Sequence, residues 1–309
     1  MRKICVAGVG AVGSLLAAMI GNNDTDCLSL IARGKRAEAL KQNGVVLNSE
    51  FYGKQICHPA KIVEYGEELE TQDCVIVCVK NYSLDAIASQ IRPCVGPDTI
   101  ILPVMNGVEA GDRLRELFPD AIVCDGLIYT TTGINPDYSA TQVGSYTYLY
   151  IGSRVQDRCH EDAVAWLNEM FSETHLDVRI ADDIQSEIWQ KFILNCAFNT
   201  VTARYLITTG EIRRSEKLKQ DFYELLLETY RVAVREGVKL PADIVEQKYQ
   251  FMLNKQSEQA TSSMKRDVEA ERKTELDAFG GAIIRKAEKY QIPVPVTKCY
   301  YDALLKMQH

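Results

Sequence analysis

The sequence predicts a doubly wound α/β sheet over residues 1–180 and an all-α domain over residues 181–309. Three observations carry that division. An apolar strand at 3–7 runs through the turn Gly8-Val9-Gly10-Ala11-Val12-Gly13 into a helix bearing Leu15, Leu16, Ala18 and Met19. Short apolar runs then alternate with helical segments as far as residue 180, the pattern of a parallel sheet covered on both faces. From Asp182 onward glycine thins out, β-branched runs vanish and helical periodicity takes over. A chain of 309 residues also exceeds what one small core organises.

In chain order, residues 27–32 read as a second strand and 34–43 as a short helix. Weaker strands at 45–48 and 54–58 bracket Phe51-Tyr52-Gly53 and suggest a hairpin. The continuous apolar run 73–79 reads as a strand buried on both faces. Helix 83–91, strand 99–103, helix 107–118 and strand 121–131 follow. The turn-rich stretch 139–152 reads as antiparallel strands closing the sheet, with a helix at 160–173 and a strand at 176–180 beyond it. In the second half Pro241, Pro293 and Pro295 mark helix junctions.

Composition is that of an ordinary globular protein, 46% hydrophobic and 25% charged. A net charge of −7 argues against nucleic-acid or anionic-membrane partners, so an anionic ligand needs a local positive site. No apolar stretch approaches the length of a membrane span. The chain starts directly in strand residues without a charged-then-apolar leader, which points to the cytoplasm. Ten scattered cysteines, with no C-x-x-C pair, read as small buried hydrophobes in a reducing compartment. His58, His160, His175 and His309 do not cluster, so no metal is expected.

The turn at 8–13 carries chemistry. Gly8 permits a tight turn, Gly10 clears space for a pyrophosphate, and Gly13 lets helix and strand pack closely, with the helix N-terminus facing the phosphates. This is a Rossmann-type dinucleotide fingerprint in its strand–turn–helix context. NAD-binding versions end the second strand with an acid. Here it ends Ile31-Ala32-Arg33-Gly34-Lys35-Arg36, three cations with no carboxylate among them. The nearby acids Asp24 and Asp26 precede the strand and belong at its opposite end. Guanidinium there suits a 2′-phosphate, so the expected cofactor is NADPH/NADP+ with Arg33 as first contact.

Residues 183–204 form the second informative segment. Ile188, Trp189, Phe192, Ile193, Leu194, Ala197, Phe198 and Val201 make it apolar nearly all round, yet Lys191, Asn195 and Asn199 recur every four residues as one polar stripe. Buried lysine and asparagine require partners, and a substrate carboxylate, hydroxyl or carbonyl would supply them. The bland alternative is a solvated stripe with a Glu187–Lys191 ion pair. Farther on, Ser262 and Ser263 precede a charged helix they could cap, and Glu275 lies beside Leu276 and Phe279.

Taken in order, G-x-G-A-x-G at 8–13, Val79-Lys80, Asn106-Gly107, Glu187-x-Trp189-x-Lys191 with Asn195-Cys196, Ser262-Ser263-Met264 and Thr274-Glu275-x-Asp277 resemble ketopantoate reductases of the 6-phosphogluconate-dehydrogenase-like group. The resemblance covers essentially the whole chain. It implies hydride transfer from NADPH to the 2-keto carbon of 2-dehydropantoate, giving (R)-pantoate for pantothenate and coenzyme A synthesis. It further implies that Lys191 is the general acid and that Asn195, Asn199 and Ser263 bind substrate. Lys80 and Asn106 would line the nicotinamide side, Asn106 touching both ligands. Glu275 would contact the cofactor and the catalytic centre, and Thr132 stands where the family commonly has alanine near the cofactor. Val9, Ala11 and Val12 join the three glycines as cofactor-binding positions.

Two departures bear on the substrate. Met105 replaces a histidine often found before the N-G pair, and Thr209 stands where some members place a substrate-binding asparagine. Two alternatives therefore stay open: a reductase of another branched 2-keto acid, and a non-catalytic NADPH-binding sensor. The chemistry of the residues agrees with reduction, because an ammonium both donates a proton and stabilises a nascent alkoxide. Burial lowers a lysine pKa and Glu275 opposes that shift. Domain closure is expected with catalysis, and the helical half allows a homodimer.

Overall fold

The computed structural model describes residues 2–23 and 27–307; Asp24, Asp26 and His309, named above from the sequence, lie outside the described residues. The chain forms two compact units. One comprises Met1–Asn106 with Ala110–Ile184, the other Gly107–Glu109 with Gln185–His309. The division thus falls four residues beyond the expected 180/181, and a three-residue segment near the N-G pair joins the second unit.

The first unit is built on a six-stranded parallel sheet. Its strands are β1 (Ile4–Ala7), β2 (Leu28–Ile31), β5 (Lys61–Val63), β6 (Cys74–Val77), β7 (Ile100–Pro103) and β8 (Ile122–Val123), in the order β5-β2-β1-β6-β7-β8. Strand parity explains its apolar sequences. Ile4 and Val6 face a core shared with helix α1 (Ala11–Gly21), while Cys5 and Ala7 face another shared with Ile87 and Ile91 of α3 (Leu84–Ile91). Each buried valine or isoleucine there contributes roughly 1.5–3 kcal/mol relative to exposure. After β1 the chain winds one way through β2, and β6 lies on the other side of β1. That reversal falls between β1 and β6, and sheets of this kind bind ligands at the carboxyl ends of the strands flanking such a point.

Helix α2 (Gly34–Asn43) follows β2, and the expected hairpin forms as β3 (Val45–Ser49) and β4 (Gly53–Cys57), paired Val45 to Cys57. The expectation for 121–152 is corrected. The segment 121–131 is not one strand: β8 ends at Val123, and β9 (Asp125–Ile134) belongs to a second, five-stranded sheet. Residues 139–152 form one long strand, β10 (Ala140–Gly152), which pairs with β9 and joins β3 and β11 (Asp177–Ile180) rather than closing the first sheet. The physical cause sits at Asp125. This carboxylate is 1% exposed and receives both Arg115, from helix α4 (Ala110–Leu117), and Arg154 at 3.1 Å. Gly126 beside it lets the backbone press to within contact of the Pro103 carbonyl. The chain is pinned where it changes sheets. Helix α5 (Arg158–Ser172) begins at an Asp157 cap that accepts from the His160 amide.

The second unit is helical: α6 (Ile184–Tyr205), α7 (Thr209–Arg214), α8 (Glu216–Arg235), α9 (Ile244–Asn254), α10 (Ser263–Glu269), a π-helical segment Asp277–Gly281, α11 (Ala282–Tyr290) and α12 (Pro295–Leu305). Helix α6 buries two flanks in two cores. Trp189, Phe192 and Cys196 pack with Val232, Phe279 and Ile283, whereas Ile193, Ala197 and Val201 pack with Phe222, Leu225 and Ile244. Glu228, 2% exposed, serves the fold, because its carboxylate accepts the amides of Val296 and Thr297 at the start of α12.

Among the described residues no helix is long and apolar enough to cross a membrane, and no cluster of metal-ligating side chains occurs. Most cysteines are buried thiols, and burial pushes that of Cys57 up to about 11.

Candidate active site

In the first unit the loops after β1, β6 and β7 converge. Gly8 has φ +93°, and a Cβ there would stand 2.9 Å from the Val79 amide nitrogen, so the turn after β1 lies directly against the loop after β6. A Cβ on Gly13 would overlap the Gly8 carbonyl oxygen, which is why helix and strand approach so closely only without a side chain. Gly10 differs: a Cβ there would meet nothing within 4 Å, and no side chain caps α1 or adds an acid to its first turn. Open space before an uncapped helix N-terminus fits the pyrophosphate of a dinucleotide. Ala11 and Val12 begin α1, and Val9 is buried in the core. Lys80 leads into a 3₁₀ turn, Asn81–Ser83. Asn81, which sequence reading missed, donates through Nδ2 to the Asn106 carbonyl at 2.8 Å and joins the loops after β6 and β7. Its signal was present in the Lys-Asn pair directly after a buried strand. Thr132 lies in β9, opposite Gln142 of β10.

Two features at the end of β2 amend the sequence reading. Arg33 and Lys35 stand exposed at the start of α2, but Arg36 does not join them. Its guanidinium turns inward to bond Val9, Ser14 and Tyr138. A carboxylate also stands nearby after all. Strand β5 runs parallel to β2 with Ile31 opposite Val63, so Glu64 emerges beside Arg33 and accepts the Gly34 amide at 3.4 Å. The sequence hid this because β5 spans three residues, too few for a periodic signal.

In the second unit the stripe on α6 is real but not uniform. Lys191 and Asn195 are half-buried, whereas Asn199 is 5% exposed. Desolvation lowers the Lys191 pKa to about 8, and the Glu275 charge opposes that shift. Glu275 itself is 5% exposed and lies two residues before the π-helical segment, with Leu276 between them. That segment is fixed by Phe279, whose ring stacks on Phe192 of α6 with centroids 5.8 Å apart.

Asn199 is occupied by the fold. Its Oδ1 accepts the Ser263 hydroxyl at 3.2 Å and the Met264 amide at 3.1 Å, and its Nδ2 donates to the Asn195 carbonyl at 2.9 Å. One turn on, the Thr202 and Ser262 hydroxyls hydrogen-bond each other at 2.7 Å, and Ser262 caps α10 by accepting from the Lys265 amide. Helix α6 therefore holds the start of α10, and with it Ser263, by two side chains. Thr209 is fully buried, and its hydroxyl donates to the Ala260 carbonyl at 3.4 Å.

Residues 4–156 match the family described as Ketopantoate reductase PanE/ApbA, and residues 183–308 match its C-terminal domain. The chain is similar to an uncharacterized oxidoreductase, YkpB, of Bacillus subtilis (26% identical, 98% of this chain and 97% of that protein). It is also similar to a 2-dehydropantoate 2-reductase of Mesorhizobium japonicum (27% identical, 99% and 96%). Among solved structures, a PanE/ApbA family ketopantoate reductase of Ralstonia eutropha JMP134 superposes with a TM-score of 0.88 at 25% identity, covering 100% of both chains.

Proposed function

Because the chain belongs to the ketopantoate reductase family of nicotinamide-dependent oxidoreductases, we propose that it reduces 2-dehydropantoate to (R)-pantoate with NADPH. The observation that carries this reading is the Lys191 ammonium, desolvated on an apolar helix with the buried Glu275 carboxylate as its counter-charge. The bound cofactor supplies the hydride. The residues of this chain supply binding and the proton.

Gly8, Val9, Gly10, Ala11, Val12 and Gly13 would hold the pyrophosphate at the α1 N-terminus, Arg33 would bind the adenosine 2′-phosphate, and Lys80, Asn106 and Thr132 would serve the nicotinamide. Lys191 hydrogen-bonds the ketone oxygen and releases its proton to that oxygen as negative charge develops there. A pKa of about 8 leaves most of the lysine protonated at neutral pH, yet makes it a far better acid than an exposed one. Glu275 keeps the ammonium charged until that moment. Asn195 and the Ser263 hydroxyl orient the substrate, and Asn199 acts by fixing Ser263.

The deciding experiment is loss of NADPH absorbance with ketopantoate. Lys191→Ala should keep NADPH binding and lose about 10²–10⁴ in turnover. Near-normal turnover would reject the role. A second reading, reduction of another branched 2-keto acid, is favoured by Thr209, whose hydroxyl is buried on the Ala260 carbonyl where some relatives present an asparagine amide. The same assay across a panel of 2-keto acids separates the two, since the better substrate shows the higher kcat/KM.

A further inference from the structure

Arg36 stands in the cation cluster of the sequence but not in that of the structure. Its guanidinium fork serves three separate pieces of the first unit. Nε donates to the Val9 carbonyl at 2.8 Å, Nη2 to the Ser14 hydroxyl at 2.6 Å, and Nη1 to the Tyr138 carbonyl. Val9 lies inside the glycine turn, Ser14 is a fully buried residue of α1, and Tyr138 sits in the turn between β9 and β10. That turn is tightly made, with Tyr138 at φ +66° and its amide donating to the Asn135 carbonyl at 2.9 Å. The guanidinium carbon also lies 5.9 Å from the Tyr138 ring centroid.

The bond to Val9 has a directional consequence. No peptide here is cis, and in a trans peptide the carbonyl and the following N–H point in opposite directions. Holding the Val9 carbonyl toward Arg36 therefore aims the Gly10 N–H away from it. Gly10 is the residue beside which a Cβ would find open space. The Ser14 bond holds the first turn of α1, whose Ser14 amide donates to the Gly10 carbonyl at 2.8 Å. A lysine cannot reproduce this, because it presents one point charge rather than a planar fork.

Resting on the dinucleotide reading above, we propose that Arg36 is a positioning residue for the pyrophosphate turn, clasping Val9, Ser14 and Tyr138, and is not a ligand of the adenosine 2′-phosphate. Its contribution is the same for NADPH and NADH, because the pyrophosphate is common to both.

The experiment measures Kd for NADPH and for NADH by nicotinamide fluorescence, on wild type, Arg36→Lys, Arg36→Met and Ser14→Ala, below each protein's thermal transition. Both Arg36 substitutions should weaken both nucleotides about tenfold, leaving the NADPH/NADH ratio unchanged. Ser14→Ala, which removes one acceptor and leaves the arginine, should weaken both by about threefold. Loss confined to NADPH, or Arg36→Lys binding NADPH as well as wild type, would overturn the proposal by making Arg36 a phosphate ligand. A lowered Tm with both Kd values unchanged in the folded protein would overturn it too, by reducing the role to stability. If Arg36 variants fail to fold, Ser14→Ala decides alone. Wild type binding neither nucleotide would instead remove the dinucleotide reading itself.

Discussion

Arg33 and Glu64 meet the N-terminus of α2 with opposite charges, one from the end of β2 and one from the end of β5. A 2′-phosphate placed there gains from the guanidinium and loses from the carboxylate. Arg33→Ala should weaken NADPH roughly ten- to a hundredfold and NADH little, the scale of a charged hydrogen bond. Glu64→Gln should raise NADPH affinity about two- to fivefold while leaving NADH unchanged or weaker, a modest gain because the group is exposed. Fluorescence titration reads both, and a Glu64→Gln protein that favours NADH would reject the assignment. At Lys191 the sign of the pH dependence follows from the lowered pKa. If Lys191 gives the proton it must be charged to do so, and kcat/KM should then be flat below about pH 8 and fall above it. Glu275 raises that pKa, so in Glu275→Gln the alkaline limb should move to lower pH. A limb that stays put or moves upward would separate Glu275 from the lysine.

Helix α6 carries Lys191 on a polar line and, about two and three turns later, Asn199 and Thr202, the side chains that hold α10. Breaking one of those links should act on substrate rather than on cofactor. Thr202→Val deletes the bond to the Ser262 cap and should raise KM for the keto acid roughly five- to tenfold. Thr202→Ser should restore it, and the Kd for NADPH should stay at the wild-type value. Equal KM values for the valine and serine variants would dismiss the link. Thr202 also shows where sequence reading stops. The spacing of Lys191, Asn195 and Asn199 was legible because the helix around them is apolar. That Asn199 and Thr202 would be consumed by Ser263 and Ser262 was not, since those partners lie about sixty residues downstream. The parallel sheet was legible from its two-sided apolar strands. The sheet change at Asp125 was not, because it depends on Arg115 and Arg154 converging on one carboxylate. Strand β5 was lost to its brevity, and Glu64 was lost with it.

A desolvated cation is also a property of the folded chain as a whole, because every ionisable group whose pKa differs between folded and unfolded states makes stability depend on pH. Lys191 titrates near 8 when folded and near 10.5 when unfolded. Below pH 8 both states carry the proton, and the folded state bears the full cost of holding a charge away from water. Between pH 8 and 10.5 the unfolded chain binds the proton and the folded chain does not, so stability rises with pH across that window. Above 10.5 both are neutral and the cost is gone. Lys191→Met keeps the length of the side chain and removes the charge, so it should raise Tm at pH 7 while abolishing turnover, a trade of stability for function. The Tm advantage over wild type should shrink as pH climbs from 8 toward 10.5. Calorimetry at pH 7 and pH 10 tests this directly. A methionine variant that melts lower than wild type at pH 7, or whose advantage grows with pH, would mean that Glu275 and its surroundings already compensate the ammonium, and that Lys191 is held at no cost to the fold.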